Sequence, residues 1–154
     1  MNIGIVVYSQ TGHTLTVAKR LEEKLSADGH VVKLERVEAT GAASPAATEV
    51  RLKTRPEIDP YDGVVFGSPV MGGALPPAMS GYMARLTSLE GRKVACLVTH
   101  FFRPAWGADQ TIAQMKEICE SKGATICGEG NVRWFQLHRK QKIAEIVEDS
   151  SKLF

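Results

Sequence analysis

The stretch "IGIVVYSQTGHT", Ile3–Thr14, changes character halfway along its length. Its first six residues are apolar and mostly β-branched, the pattern of a strand buried on both faces. The next six, Ser9 to Thr14, are small or polar, and three of them carry hydroxyls. Beyond them Leu15, Ala18, Leu21 and Leu25 recur at spacings of three and four, so a helix is expected over about Thr14 to Asp28, with Gly29 supplying the positive φ of its C-terminal cap. A strand, a polar loop and a helix start in that order make the first half of a βαβ unit.

The same alternation continues along the chain. Short β-branched runs at Ile3–Val7, Val31–Val37, Gly63–Gly67, Val94–Thr99 and Ala124–Cys127 are separated by longer amphipathic segments. Pro76 and Pro77 open one helix, whose inner stripe is Met79, Met83 and Leu86; Ile112, Met115, Ile118 and Cys119 mark another, ended near Gly123; Ile143, Ile146 and Val147 mark the last. Strands joined by crossover helices must run parallel, and a parallel sheet needs both faces covered. The expected architecture is therefore α/β, a three-layer doubly wound sheet of five parallel strands. Glu38–Asp62 breaks the rhythm: it is rich in Ala, Thr and Pro, and "EVRLK" is too short for a firm helix, which leaves an irregular segment or an extra edge strand.

Composition limits what such a domain does. With 154 residues, 44% hydrophobic and 23% charged, one domain over residues 1–154 is expected. The apolar runs are far shorter than the ~20 residues of a membrane helix, and Met1 leads straight into strand-like sequence, so a cytoplasmic protein is expected. Cys96, Cys119 and Cys127 lack metal-ligand spacing and read as buried thiols of a reducing compartment, with no metal site. The net charge is +2 and the one basic run, "HRK" at His138–Lys140, has no aromatic interleaving, so it reads as a solvated helix start and not as a nucleic-acid surface.

In doubly wound sheets ligands sit at the carboxyl ends of the strands, which directs attention to the loops after the first, third and fourth strands. Ser9–Thr14 is the first of these. At a helix start, unpaired backbone N–H groups and the positive end of the helix dipole favour an anion; Gly12 permits close approach, and Ser9, Thr11 and Thr14 offer hydroxyls. The simpler alternative is that Thr11 or Thr14 merely caps the helix. No G-x-x-x-x-G-K-[ST] and no G-x-G-x-x-G follows the first strand, so neither a P-loop triphosphatase nor a dinucleotide fold is supported. Cys127 and Arg133 spell C-x5-R, but with Cys127 at the end of the fifth strand and no helix start beside it, a catalytic thiolate is not expected.

"SQTGHT" resembles the phosphate-binding loop T/S-x-T-G-x-T of flavodoxins, through Ser9, Thr11, Gly12 and Thr14. "YDGVVFGSPVMGGALPPAMSGYM" is similar to that family's third strand and first flavin-flanking loop, and "KVACLVTHFFRPAWG" falls at its second. The resemblance implies a flavodoxin-like sheet of strand order 2-1-3-4-5 and non-covalent flavin mononucleotide (FMN). The phosphate would rest on Ser9, Gln10, Thr11, Gly12, His13 and Thr14. The ring would lie between Ser68, Pro69, Val70, Met71, Gly72 and Gly73 on one side and Thr99, His100, Phe101, Phe102, Trp106 and Gly107 on the other. In flavodoxins a peptide in the first of these loops reorients to meet the proton on flavin N5, and Met71–Gly73 is the matching segment.

Several of these residues have a plainer reading beside them. One of Phe101 and Phe102 is expected in the core, leaving Trp106 to stack on the ring; His100 either meets the flavin edge or a neighbouring carbonyl. His13 is expected to matter through its backbone N–H. Familiar flavodoxins are strongly acidic, whereas Gly63–Ala108 holds one carboxylate, Glu90, against Arg85, Arg92, Lys93 and Arg103. That balance implies a less negative flavin potential and acidic or anionic partners. The resulting expectation is an electron-transfer protein serving a redox partner protein or a small-molecule acceptor. The alternative is an FMN-dependent NAD(P)H:quinone or flavin oxidoreductase, and a non-catalytic interaction module is held in reserve.

Overall fold

The first strand forms where its β-branched run demands it, and it takes an inner place in the sheet, one strand in from the edge. In the computed structural model, which describes residues 1–40, 51–101, 107–134, 136 and 138–154, β1 (Asn2–Val7) is paired on one side with β2 (Val31–Arg36) and on the other with β5 (Gly63–Pro69). β6 (Lys93–His100) and β7 (Thr125–Arg133) follow outward from β5, all pairs are parallel, and the order is β2-β1-β5-β6-β7. This is the expected 2-1-3-4-5 arrangement once the two short strands described below are set aside.

The pleat sorts each strand between two cores. Ile3, Ile5 and Val7 of β1, Val65 of β5, and Ala95 and Leu97 of β6 face one side, where α1 (His13–Ala27) and α4 (Arg139–Ser151) supply Val17, Leu21, Leu25, Ile143 and Val147. Val6, Val64, Phe66, Val94, Cys96 and Val98 face the other, against α2 (Pro77–Ala84) and α3 (Ala108–Ser121). Each fully buried aliphatic or aromatic side chain is worth roughly 1.5–3 kcal/mol against exposure. A one-residue slip of β1 would exchange the two sets, so register is fixed by burial on both faces.

Within Glu38–Asp62, residues 41–50, and with them the start of "EVRLK", lie outside the described residues; the described part takes a form between the two alternatives. β3 (Ala39–Thr40) and β4 (Arg51–Leu52) pair antiparallel in a sheet of their own and do not extend the main one. The residues after β4 then cover the second face: Ile58 and Tyr61 are buried, and Tyr61 lies flat over Gly4, where an added Cβ would come within 2.5 Å of its ring. The Tyr61 hydroxyl donates to Glu35 at 2.6 Å, tying this cover to the edge strand. Thr54 closes the end of β2, accepting from Glu38 N at 2.9 Å and donating to the Arg36 carbonyl at 2.6 Å.

The fifth strand of the sheet is longer than the sequence predicts. Ala124–Cys127 was the expected span, and β7 runs from Thr125 to Arg133. "GEGN" has no apolar alternation because the strand is a half-solvated edge. Val94 pairs with Ile126 and Ala95 with Gly128, so Cys127 is the extra residue of a β-bulge, and its thiol donates to the Val94 carbonyl at 3.3 Å. Cys127 and Arg133 thus lie about 20 Å apart along one strand, at the usual rise of ~3.3 Å per residue. They share no anion. Among the described residues no helix is long and apolar enough to cross a membrane.

The contact between Tyr61 and Gly4 gives a direct test of the unusual cover. Gly4→Ala should lower stability by about 1–3 kcal/mol in urea unfolding, the usual range for overpacking a filled core. An unchanged midpoint would mean that Tyr61 does not lie on the strand.

Candidate functional site

The chain leaves β1 outward to β2 and returns to β5 on the opposite side, which opens a crevice at the carboxyl ends of β1 and β5. Ser9–Thr14 lies at this point. Gly12 is the N-cap of α1 with φ 88°, and no side chain caps the helix, so neither Thr11 nor Thr14 takes the capping role. From outside the cap position Ser9 Oγ accepts a long bond, 3.4 Å, from Leu15 N. A Cβ on Gly12 would meet nothing within 4 Å, so the backbone here faces open space. The first turn of α1 contains no acidic residue. Backbone donors, the dipole and an absence of negative charge therefore coincide at one spot.

The residues of this loop divide by direction. Gln10 and Thr11 are exposed, and Ser9 is buried. Thr14 is 1% exposed and its hydroxyl lies 2.7 Å from that of Thr99, at the end of β6. One hydroxyl of this pair donates to the other, which leaves one proton for a further acceptor. The bond also joins the first loop to the third.

The second loop is a tight reversal. Met71 and Ala74 exchange backbone bonds of 2.9 and 3.1 Å, with Gly72 at φ 58° and Gly73 at φ 77° between them. Two central residues at positive φ are the signature of a type I′ turn, which glycine adopts without penalty. Ser68 is fully buried and donates to the Pro69 carbonyl at 2.9 Å; Pro69, Val70 and Met71 are half-buried, and Val70 N donates to the Thr99 carbonyl at 3.1 Å.

The third loop meets the second at Gly107, which starts α3 with φ 137°. A Cβ there would lie 2.7 Å from Val70 Cγ1 and 2.9 Å from Gly73 Cα. The two loops are in contact. Phe102 and Trp106 lie outside the described residues. Phe101 is 37% exposed and so is not the aromatic residue expected in the core. His100 is turned inward toward the last strand, with Nε2 3.0 Å from Asn131 Oδ1.

Three residues missing from the sequence reading complete the rim. His13 stacks on Trp134, ring centres 4.0 Å apart and 11° from parallel, and meets Phe101 edge-on at 5.3 Å. The Arg139 guanidinium covers the Trp134 ring at 4.4 Å. Trp134 is thus a strut between the first loop and α4, and burial together with the Arg139 charge lowers the His13 pKa below its ordinary value. On the other flank, Arg36 pairs with Val7 in the β1–β2 register and donates from Nη2 to the Ser9 carbonyl at 3.3 Å. That brings a cation onto the polar loop. The β1–β2 adjacency was the signal for Arg36; Trp134 was hidden by reading the last strand six residues too short.

A doubly wound parallel sheet with a helix start at its switch point and two further loops beside it defines the class as α/β with its candidate ligand crevice at the carboxyl edge. Residues 4–150 match the flavodoxin domain, and the chain belongs to this family of flavin-binding redox proteins. An NAD(P)H dehydrogenase (quinone) of Archaeoglobus fulgidus is 28% identical, over 80% of this chain and 74% of that protein. Among solved structures, two-electron reduced Megasphaera elsdenii flavodoxin superposes with a TM-score of 0.71 at 24% identity, covering 97% of this chain and 98% of the other. Oxidised flavodoxin 1 of Bacillus cereus gives 0.74 at 16% identity, over 99% and 97%.

The His13 stack has a measurable sign. Its folded pKa lies below the unfolded one, so the unfolded chain binds the proton more readily and stability falls as pH drops through about 6.5. Arg139→Gln should raise the His13 pKa in an NMR titration. A His13 that titrates normally and ignores this substitution would contradict the stack.

Proposed function

We propose that the protein is an FMN-binding electron carrier that serves a redox partner protein or a small-molecule acceptor in the cytoplasm, with the 154 residues acting as one domain. The single observation behind this reading is the uncapped start of α1 at Gly12, open above its backbone and free of acidic residues. FMN supplies the electron chemistry when bound. The chain binds and orients it. The N–H groups of Gln10 to Thr14 and the hydroxyls of Ser9, Thr11 and the Thr14–Thr99 pair are assigned to the phosphate, with Arg36 adding charge from the side.

Ser68–Gly73 and Thr99–Gly107 are assigned to the ring. Val70 and Met71 offer half-buried apolar surface, and the Met71–Ala74 turn offers a backbone edge. Turning over the peptide between Gly72 and Gly73 exchanges its N–H and C=O directions, and glycine at both positions removes the Cβ penalty from either form. The turn can thus present a donor or an acceptor to a ring edge that gains or loses a proton.

A second reading, an FMN-dependent NAD(P)H:quinone or flavin oxidoreductase, is favoured by the name of the Archaeoglobus relative and by the single carboxylate in Gly63–Ala108. Rapid anaerobic bleaching of bound flavin by NADPH would select it, and slow bleaching would select the carrier.

Flavin titrations test the site itself. The protein should take up one equivalent of FMN and bind riboflavin far more weakly. Arg36→Gln should weaken FMN by about tenfold, the loss of one charge-assisted hydrogen bond, and leave riboflavin unchanged. A protein that is colourless and takes up no FMN would overturn the proposal in favour of a non-catalytic module.

A further inference from the structure

A cavity of about 470 Å3 lies away from the carboxyl-edge loops. Asp59 and Arg92, on its wall, come just before β5 and β6, which places it at the amino edge of the sheet. Leu52, Pro56, Ile58 and Leu86 give it apolar lining. Tyr82 closes it from the core: the ring is 2% exposed and its hydroxyl donates to the Pro56 carbonyl at 2.5 Å. The volume is that of an ordinary small-molecule site.

Its charge is one-sided. Arg55, Arg85 and Arg92 line it against one carboxylate, Asp59. Arg92 is fixed in place, donating from Nε to the Tyr61 carbonyl at 3.0 Å and from Nη2 to the Asp59 carbonyl at 3.3 Å, with its side chain 18% exposed. The Asp59 carboxylate is 91% exposed and 3.6 Å from Arg92, so solvent screens most of its compensation. Among the described residues, Arg55 and Arg85 have no carboxylate within ion-pair distance. Three guanidinium groups around one concavity repel one another, and apolar walls strengthen the field between them. Thr87 and Ser88 line it as well.

We infer that this cavity binds a phosphomonoester with a flat apolar body, its dianion between Arg55, Arg85 and Arg92 and its body against Leu52, Ile58 and Leu86. A phosphomonoester carries close to two negative charges at neutral pH, which matches the excess of positive charge, and guanidinium forks bind such oxygens bidentately. Neither half suffices: the walls are too polar for a hydrocarbon and too apolar for a bare ion.

The test uses the full chain with one equivalent of FMN present, so that a phosphate site at Ser9–Thr14 is already supplied. The probe is 1-naphthyl phosphate, compared with inorganic phosphate and with 1-naphthol, and binding is followed by backbone amide NMR shifts and calorimetry. The expected result is one equivalent bound, shifts at Leu52, Ile58, Thr87 and Ser88, and both half-probes weaker by at least ~10-fold. The exposed side chains of Arg55 and Arg85 make no described hydrogen bond, so R55A/R85A should stay folded and bind the probe at least ~10-fold more weakly. The inference is overturned by shifts confined to Gln10–Thr14, by inorganic phosphate or 1-naphthol binding as tightly as the ester, or by unchanged affinity in R55A/R85A.

Discussion

The start of α1 sets the terms for the rest of the molecule. A helix that begins without a side-chain cap carries unsatisfied N–H groups, and here they stand at the end of β1, an inner strand flanked by β2 and β5. Burial on both faces fixes the register of β1, and that register fixes where the loop emerges. The Thr14–Thr99 bond then ties it to β6, and Gly107 holds the third loop against the second. The helix start thereby lies in a crevice whose other walls come from distant parts of the chain.

The sheet was largely legible because its signals are local. β-branched runs bounded by polar loops, and stripes at three and four, give element type without any knowledge of tertiary contacts. The failures have tertiary causes. Arg133 belongs to a strand that the polar "GEGN" disguised, since an edge strand is not required to alternate. Glu38–Asp62 covers the sheet with Ile58 and Tyr61, a pairing with Gly4 that depends on contact between residues far apart in sequence.

The candidate site was legible in its backbone and less so in its side chains. Gly12, Gly72 and Gly73 announce positions where the chain turns or faces open space, and all three adopt positive φ. Side-chain direction is another matter. Thr14 reads as a hydroxyl offered to an anion or as a helix cap and sits buried against Thr99, while His13, expected to matter through its N–H, stacks on Trp134. Arg36 reaches the loop because β2 lies beside β1, a fact of strand order and not of any motif.

The central claim is that Ser9–Thr14 holds the phosphate of FMN as a dianion. Phosphorus-31 NMR of the protein with one equivalent of FMN measures this directly. The account predicts a single bound resonance that keeps the dianion position as pH falls past ~6, where a free phosphomonoester takes up its proton. A resonance that titrates as free FMN does would show that the phosphate is in water, and would contradict the account.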